Sequence, residues 1–208
     1  NFILKIKKKN SIINMDGIEW KREKWGIIIK IWFYINEYFG MLFSRVAVAD
    51  NPHIKSYLLR KYRSKKIIMI PYGAENKIYN GIQALKKYGL QKKKYAIIVA
   101  RPEPENSVYE IIKVFSKKKR NIKLAVLGSY DFKYNNFHKK IKKISSKEIY
   151  FLGSIYDKKE ITILRSNSLF YFHGHKVGGT NPALVEALAT KCPIICYDNL
   201  FNRWVAKN

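Results

Sequence analysis

The sequence predicts an α/β protein built on doubly wound, parallel, Rossmann-like sheets. Three observations lead there. From Tyr95 onward, short apolar runs alternate with amphipathic stretches of helical length, and repeated strand–helix units of this kind make parallel sheets. The residues at the ends of those runs are Arg101, Gly128, Gly153 and His173; ligands of open α/β sheets sit at the carboxyl ends of strands. The stretch Phe172–Leu188, FHGHKVGGTNPALVEAL, then joins an apolar run to a helical pattern through a pair of glycines.

The first part of the chain is less regular. Ile27–Leu42 is a long aromatic and aliphatic stretch, read as a buried or membrane-facing helix. Val46–Ala49 reads as a strand, Pro52–Tyr62 as a helix and Ile67–Ile70 as a strand that Pro71-Tyr72-Gly73 ends. Polar and basic residues cluster over Glu75–Lys94, which places a linker at 81–94 between an N-terminal part, 1–80, and a second domain, 95–208. Strands are expected at Tyr95–Ala100, Lys123–Gly128, Glu148–Gly153, Leu169–Phe172 and Pro193–Tyr197. Helices are expected between them, at Glu105–Lys117, Phe132–Ser145, Asp157–Ser166 and Asn181–Thr190. Val108, Ile111, Ile112 and Phe115 give the first of these an apolar stripe.

A chain of 208 residues can bury one large or two small cores. With 47% hydrophobic and 14% aromatic residues it is globular, not disordered. The formal charge is +26, and residues 1–90 and 91–208 carry 18 and 23 Lys+Arg against 6 and 9 Asp+Glu. Both halves are basic, so the charge is not a tail. Lysines solvating most exposed faces account for it, and so does attraction to an anionic surface, nucleic acid or a membrane leaflet. No apolar stretch reaches the roughly 18 residues of a membrane-spanning helix, and no secretory signal is evident. Cys192 and Cys196, in CPIIC, are placed on one strand face, too far apart for an easy disulfide. Buried free thiols in a reducing cytoplasm are expected, without a metal.

The glycine stretch suits a phosphorylated ligand. Gly178 and Gly179 let the backbone approach an anion, and Asn181 with Pro182 opens the next helix. The free N–H groups and positive end of that helix favour a phosphate. Glu186, amid Ala183, Leu184, Val185, Ala187 and Leu188, needs a polar partner if buried. Arg101 precedes a loop stiffened by Pro102 and Pro104 and can grip a diphosphate, or simply be solvated. His173 and His175 flank Gly174; they can hydrogen-bond a sugar or diphosphate, or satisfy local backbone groups. Gly128 and Gly153, with Tyr156 beyond, are ordinary turn residues or cleft lining. Asp16 and Glu19, beside Trp20, can face an acceptor or lie in an exposed loop, whereas His53, His138 and Asp50 have no evident constellation.

The run His173-Gly174-His175-Lys176-Val177-Gly178-Gly179-Thr180-Asn181-Pro182 resembles the donor-binding motif of retaining GT-B glycosyltransferases, and more narrowly of a bacterial rhamnosyltransferase-like group. So do Met15-Asp16-Gly17-Ile18-Glu19-Trp20-Lys21-Arg22, Val48-Ala49-Asp50-Asn51 and Pro71-Tyr72-Gly73-Ala74. The likeness covers about Asn14 to Arg203. It implies a nucleotide-sugar domain at 95–208, the tail of an acceptor-side domain at 1–80, and missing segments at both ends.

The resemblance implies transfer of a hexose, rhamnose in the narrower group, from a dTDP- or UDP-sugar with retention and without a metal ion. Arg101, His173 and Glu186 would be the catalytic set, with Arg101 on the diphosphate and Glu186 on the ribose. Asn106, Gly128, Gly153, Tyr156, His175, Gly178, Gly179, Thr180 and Asn181 would line the donor. Two departures stand out: the wider superfamily has an earlier glutamate where Gly178 stands, and a lysine following the arginine where Asn106 and Ser107 stand. The acceptor implied is a glycan, lipid-linked, at the inner face of the plasma membrane in cell-surface polysaccharide synthesis. A catalytically silent nucleotide-sugar module and a polyanion-binding protein remain alternatives, although no specific nucleic-acid motif is present.

Overall fold

The computed structural model describes residues 3, 6–7, 9–77, 79 and 81–207. They form two compact units. The first gathers Asn1–Tyr72, Val177–Asn181 and Asn199–Asn208; the second gathers Gly73–Lys176 and Pro182–Asp198.

In the first unit, strands β1 (Ile12–Met15), β2 (Val46–Ala49) and β3 (Lys66–Met69) make a parallel sheet in that order. Between β1 and β2 runs α1 (Ile27–Phe43), and between β2 and β3 runs α2 (Pro52–Lys61). The sequence sets the start of α2 directly. Asn51 accepts the His53 amide at 3.0 Å and Pro52 occupies the first turn, where a missing N–H is harmless. Met41, Ala47, Ala49, Ile54, Leu58 and Ile67 form the core.

Helix α1 is not a buried helix. Only Glu37 and Met41 are enclosed, while Ile27, Ile28, Ile31, Trp32, Tyr38 and Phe39 are among the residues left 42–80% exposed. Glu37 is tied down by four donors: Trp20 Nε1 (3.0 Å), Tyr57 Oη (2.8 Å), Lys61 Nζ (2.7 Å) and Tyr62 Oη (2.9 Å). A carboxylate so bonded can be buried at modest cost. Helix α8 (Leu200–Ala206) completes the unit, capped by Asn199, which accepts the Asn202 amide.

The second unit holds a five-stranded parallel sheet. Its strands are β4 (Tyr95–Val99), β5 (Lys123–Leu127), β6 (Ile149–Gly153), β7 (Tyr171–His173) and β8 (Ile194–Cys196), in the order β6-β5-β4-β7-β8. The helices are α3 (Ile82–Lys87), inside the stretch read as a linker, then α4 (Val108–Phe115), α5 (Asn136–Ile144), α6 (Lys158–Asn167) and α7 (Pro182–Ala189). Side chains alternate across the pleat, so both faces bury apolar groups. Tyr95, Ile97, Ala125, Leu127 and Tyr171 meet Leu85 of α3, Leu164 of α6 and Ala187 of α7. Ala96, Ile98, Leu124 and Val126 meet Ile112 and Phe115 of α4 and Ile141 of α5. Coverage on both faces is why these strands read as continuous apolar runs.

Several boundaries move for local reasons. Ser107 takes a left-handed conformation (φ 52°), which splits the expected helix into a short 3-10 turn, Pro104–Asn106, and α4. Asn135 accepts the Phe137 and His138 amides and so starts α5 later than expected. Strand β8 is short, and Cys192 lies ahead of it, buried, whereas Cys196 is only half-buried; both thiols are free. The expectation of two thiols on one buried strand face is corrected accordingly. Among the described residues, no helix is long and apolar enough to cross a membrane.

Candidate functional site

The chain lays down β4, β5 and β6 in one direction, then returns to place β7 and β8 on the other side of β4. Loops leaving β4 and β7 therefore diverge from neighbouring strand ends, the position at which open parallel sheets form a crevice.

The structure laces these two loops together. The Lys176 amide donates to the Glu105 carbonyl at 2.9 Å. Gly174 packs on the Asn106 carbonyl so closely that a Cβ would overlap it and also reach Ser107 Cβ at 2.9 Å. Asn106 is buried and its Nδ2 donates to the Arg101 carbonyl at 2.8 Å. Its observed work is to hold the loop that carries Arg101, whose own side chain is exposed.

His173, the last residue of β7, is buried to 1% exposure, with Nδ1 3.3 Å from Tyr171 Oη. His175 stacks on it, ring centroids 4.3 Å apart and planes within 12°. Burial, then the neighbouring His175 and Arg165, hold the His173 imidazole far below its usual range, so it is neutral at physiological pH. Among the described residues no further His, Cys, Asp or Glu joins the pair to make a group of three.

Gly128 and Gly153 sit at the neighbouring strand ends. The Gly128 amide donates to the Gly153 carbonyl at 3.0 Å. Gly128 has φ 156° and lies against the Ala100 carbonyl, where a Cβ would not fit. That glycine is explained by close approach of β4 and β5. Tyr156, three positions beyond β6, is 88% exposed and lies open to solvent.

Glu186 differs most from expectation. Its side chain is 47% exposed, and the buried member of the pair is Arg165 of α6, at 3%. Arg165 Nη1 donates to Glu186 Oε2 at 2.5 Å, and its guanidinium lies 5.8 Å from the Tyr171 ring centroid. A line of contacts thus runs Glu186–Arg165–Tyr171–His173. Arg165 and Glu186 line a cleft of about 310 Å³ with Gly73, Thr162 and Thr190, within the size range of ligand pockets. Sequence reasoning missed Arg165. Its signal was its place on the apolar stripe of α6, one turn after Ile161 and beside Leu164, where a cation needs a carboxylate.

Gly178, Gly179, Thr180 and Asn181 belong to the first unit, where Gly179 and Thr180 meet Asp50. Thr180 donates its amide to Asp50 Oδ2 at 2.7 Å and its Oγ1 to the Asp50 carbonyl at 2.5 Å. Asp50 therefore does have a constellation, contrary to the sequence reading. Burial, opposed by the Thr180 amide and helped by the nearby Asp16, raises its pKa to about 6. Asp16 accepts from Tyr72 Oη at 3.1 Å. Glu19 pairs with Arg22 and accepts from Trp25 Nε1; neither acid stands unpartnered in a loop.

Comparison with known proteins gives this geometry a context. The family model described as glycosyl transferases group 1 matches residues 83–208, and a domain of unknown function (DUF1972) matches residues 1–75. No curated protein matches in sequence. Among solved structures, sucrose-phosphate synthase from Thermosynechococcus elongatus is similar with a TM-score of 0.75 at 13% identity, over 92% of this chain and 52% of that one. HepE from Anabaena, in complex with UDP and glucose, gives 0.74 at 14% identity, over 94% and 55%. TarM from S. aureus, as a mutant in complex with UDP among other ligands, gives 0.70 at 12%, over 95% and 38%. The chain spans about half the length of the first of these structures, and at such identities the likeness is one of fold.

Proposed function

The chain belongs to the group 1 glycosyl transferases, with a GT-B, Rossmann-like α/β fold, and from that premise we propose that it moves a hexose from a nucleotide diphosphate sugar to a glycan acceptor with retention. The observation that carries this reading is the cluster in the second unit. An exposed guanidinium follows β4, a buried neutral imidazole ends β7, and the next helix presents a half-exposed carboxylate held by a buried arginine.

In this reading Arg101 and the amino end of α7 stabilise the charge that builds on the departing diphosphate. That supply of positive charge asks for no metal ion. Glu186, oriented by Arg165, accepts hydrogen bonds from the ribose hydroxyls. His173, kept neutral, can hydrogen-bond the transferred sugar without adding a second cation. A uridine carrier is supported by the HepE complexes with UDP and UDP-glucose; a thymidine carrier and rhamnose are supported by the sequence resemblance.

The acceptor we assign is a lipid-linked glycan at the inner face of the plasma membrane, for a cell-surface polysaccharide. The apolar residues exposed along α1, in a chain of charge +26, support attachment to an anionic leaflet. Product analysis tests the assignment. The protein is incubated with dTDP-rhamnose or a UDP-hexose and a polyprenyl-linked sugar. A new glycosidic bond with the donor's anomeric configuration supports it, whereas donor hydrolysis alone, or an inverted product, contradicts it.

A further inference from the structure

The glycine loop has an anion against it already, and the chain supplies it. Gly179 has an ordinary backbone, yet a Cβ there would fall on the Asp50 carboxylate, 2.6 Å from its Cγ and closer still to both oxygens. Gly178 takes φ 129°, a conformation that only glycine adopts without strain, and Gly17 lies against it, with room for a Cβ 3.5 Å from the Gly178 Cα. Thr180 completes the arrangement with its two bonds to Asp50. Two successive residues, Gly179 and Thr180, are thus fitted to Asp50 within the first unit.

Asp50 is 1% exposed, and its second oxygen, Oδ1, has no hydrogen-bond partner among the described residues. Burying a carboxylate with one oxygen unsatisfied costs stability. The Thr180 amide and the backbone amide of Asp50 itself favour the charge, and Asp16 opposes it. A costly group at a candidate binding loop is a pointer to function, since sites commonly keep residues that folding alone would replace.

We propose that Asp50 is a positioning residue for sugar transfer: its carboxylate, not a bound phosphate, is the anion around which Gly179-Thr180 is shaped, and it fixes the loop that leads into α7. The proposal deepens the glycosyltransferase reading and rests on it. It assigns Gly179 an intramolecular reason to be glycine and leaves the donor diphosphate to Arg101 and the start of α7.

A double-substitution experiment on the whole protein tests it, with thermal unfolding and UDP affinity as separate readouts. Gly179→Ala should lower the melting temperature by several degrees, and Asp50→Ala in the same chain should restore it, because the two side chains compete for one space. Asp50→Ala alone should leave the melting temperature near that of the wild type but weaken UDP binding about tenfold, a split that a purely structural residue would not show. Asp50→Asn, which keeps the shape and an acceptor for the Thr180 amide, should retain most of the affinity.

Gly179→Ala unfolding like the wild type, or no recovery on adding Asp50→Ala, would overturn the fit of loop to carboxylate. UDP binding by Asp50→Ala equal to that of the wild type would overturn the positioning role. If the wild type itself binds neither UDP nor dTDP, the glycosyltransferase reading fails, and the role in donor positioning falls with it. The unfolding comparison still decides whether Asp50 shapes the loop.

Discussion

Arg165 and Glu186 form an unequal ion pair: the guanidinium on α6 is enclosed at 3% exposure, while the carboxylate on α7, 2.5 Å away, is half open to solvent. The buried partner depends on the exposed one. Glu186→Ala should therefore destabilise the fold by about 1–3 kcal/mol, less than for a fully buried pair because water screens the carboxylate. Arg165→Met, which removes the buried charge and keeps the volume, should cost less. Urea unfolding of the two variants checks the order. Both should weaken UDP binding, Arg165→Met because Glu186 loses its orientation.

Gly174→Ala should cost about 1–3 kcal/mol, the range for forcing extra atoms into a packed site. The new Cβ would strike the Asn106 carbonyl and separate the loop of Arg101 from that of His173. Gly73→Ala, where a Cβ meets nothing within 4 Å, is the control and should unfold like the wild type. Thermal unfolding of the two variants side by side gives the answer.

Asp50 predicts a pH dependence of stability with a definite sign. Its pKa is raised from 3.8 to about 6 in the folded chain. The folded state holds a proton that the unfolded state has released, so this contribution is present in full below about pH 4 and is lost as pH rises through 6. The difference in unfolding free energy between Asp50→Asn and the wild type should therefore move in favour of the variant between pH 5 and 7.5. Over that window it should change by about 1 kcal/mol, because roughly half of the free energy of the shift falls below pH 5 and partial screening by water reduces the rest. A difference that is flat with pH would remove the claim that the buried carboxylate is costly.

The exposed face of α1 predicts binding to anionic vesicles. Flotation with phosphatidylglycerol-containing vesicles should recover the wild type at low salt. The pair Ile28→Ser and Trp32→Ser, at positions 80% and 57% exposed, should reduce recovery strongly at unchanged charge. Equal recovery of variant and wild type, both abolished by salt, would assign the attraction to the lysines alone.

The sheet of the second unit was legible because strands buried on both faces carry apolar runs, as in Tyr95–Val99 and Lys123–Leu127. Its loops were less so. Nothing in Ser107 announces a left-handed conformation, so the break ahead of α4 was invisible. The composition of α1 fits a buried helix as well as an exposed one, and only the burial of Glu37 and Met41 alone decides between them. Asp50 was read as having no constellation, because its partner Thr180 lies 130 residues away in sequence. Gly178 and Gly179 were read as the place where the backbone approaches an anion; in the structure Gly179 lies against the Asp50 carboxylate, and Gly178 is explained by its positive φ. Arg165 was within reach, as a cation on an apolar helix stripe.

Isothermal titration with UDP, dTDP and GDP, at two salt concentrations and beside Arg101→Ala and Glu186→Ala, addresses the central claim most directly. The account predicts binding that prefers one base, survives the higher salt and weakens about tenfold in each variant. Binding that ignores the base, tracks salt and is unchanged by both substitutions would contradict it, and would mark the chain as a binder of polyanions through its charge.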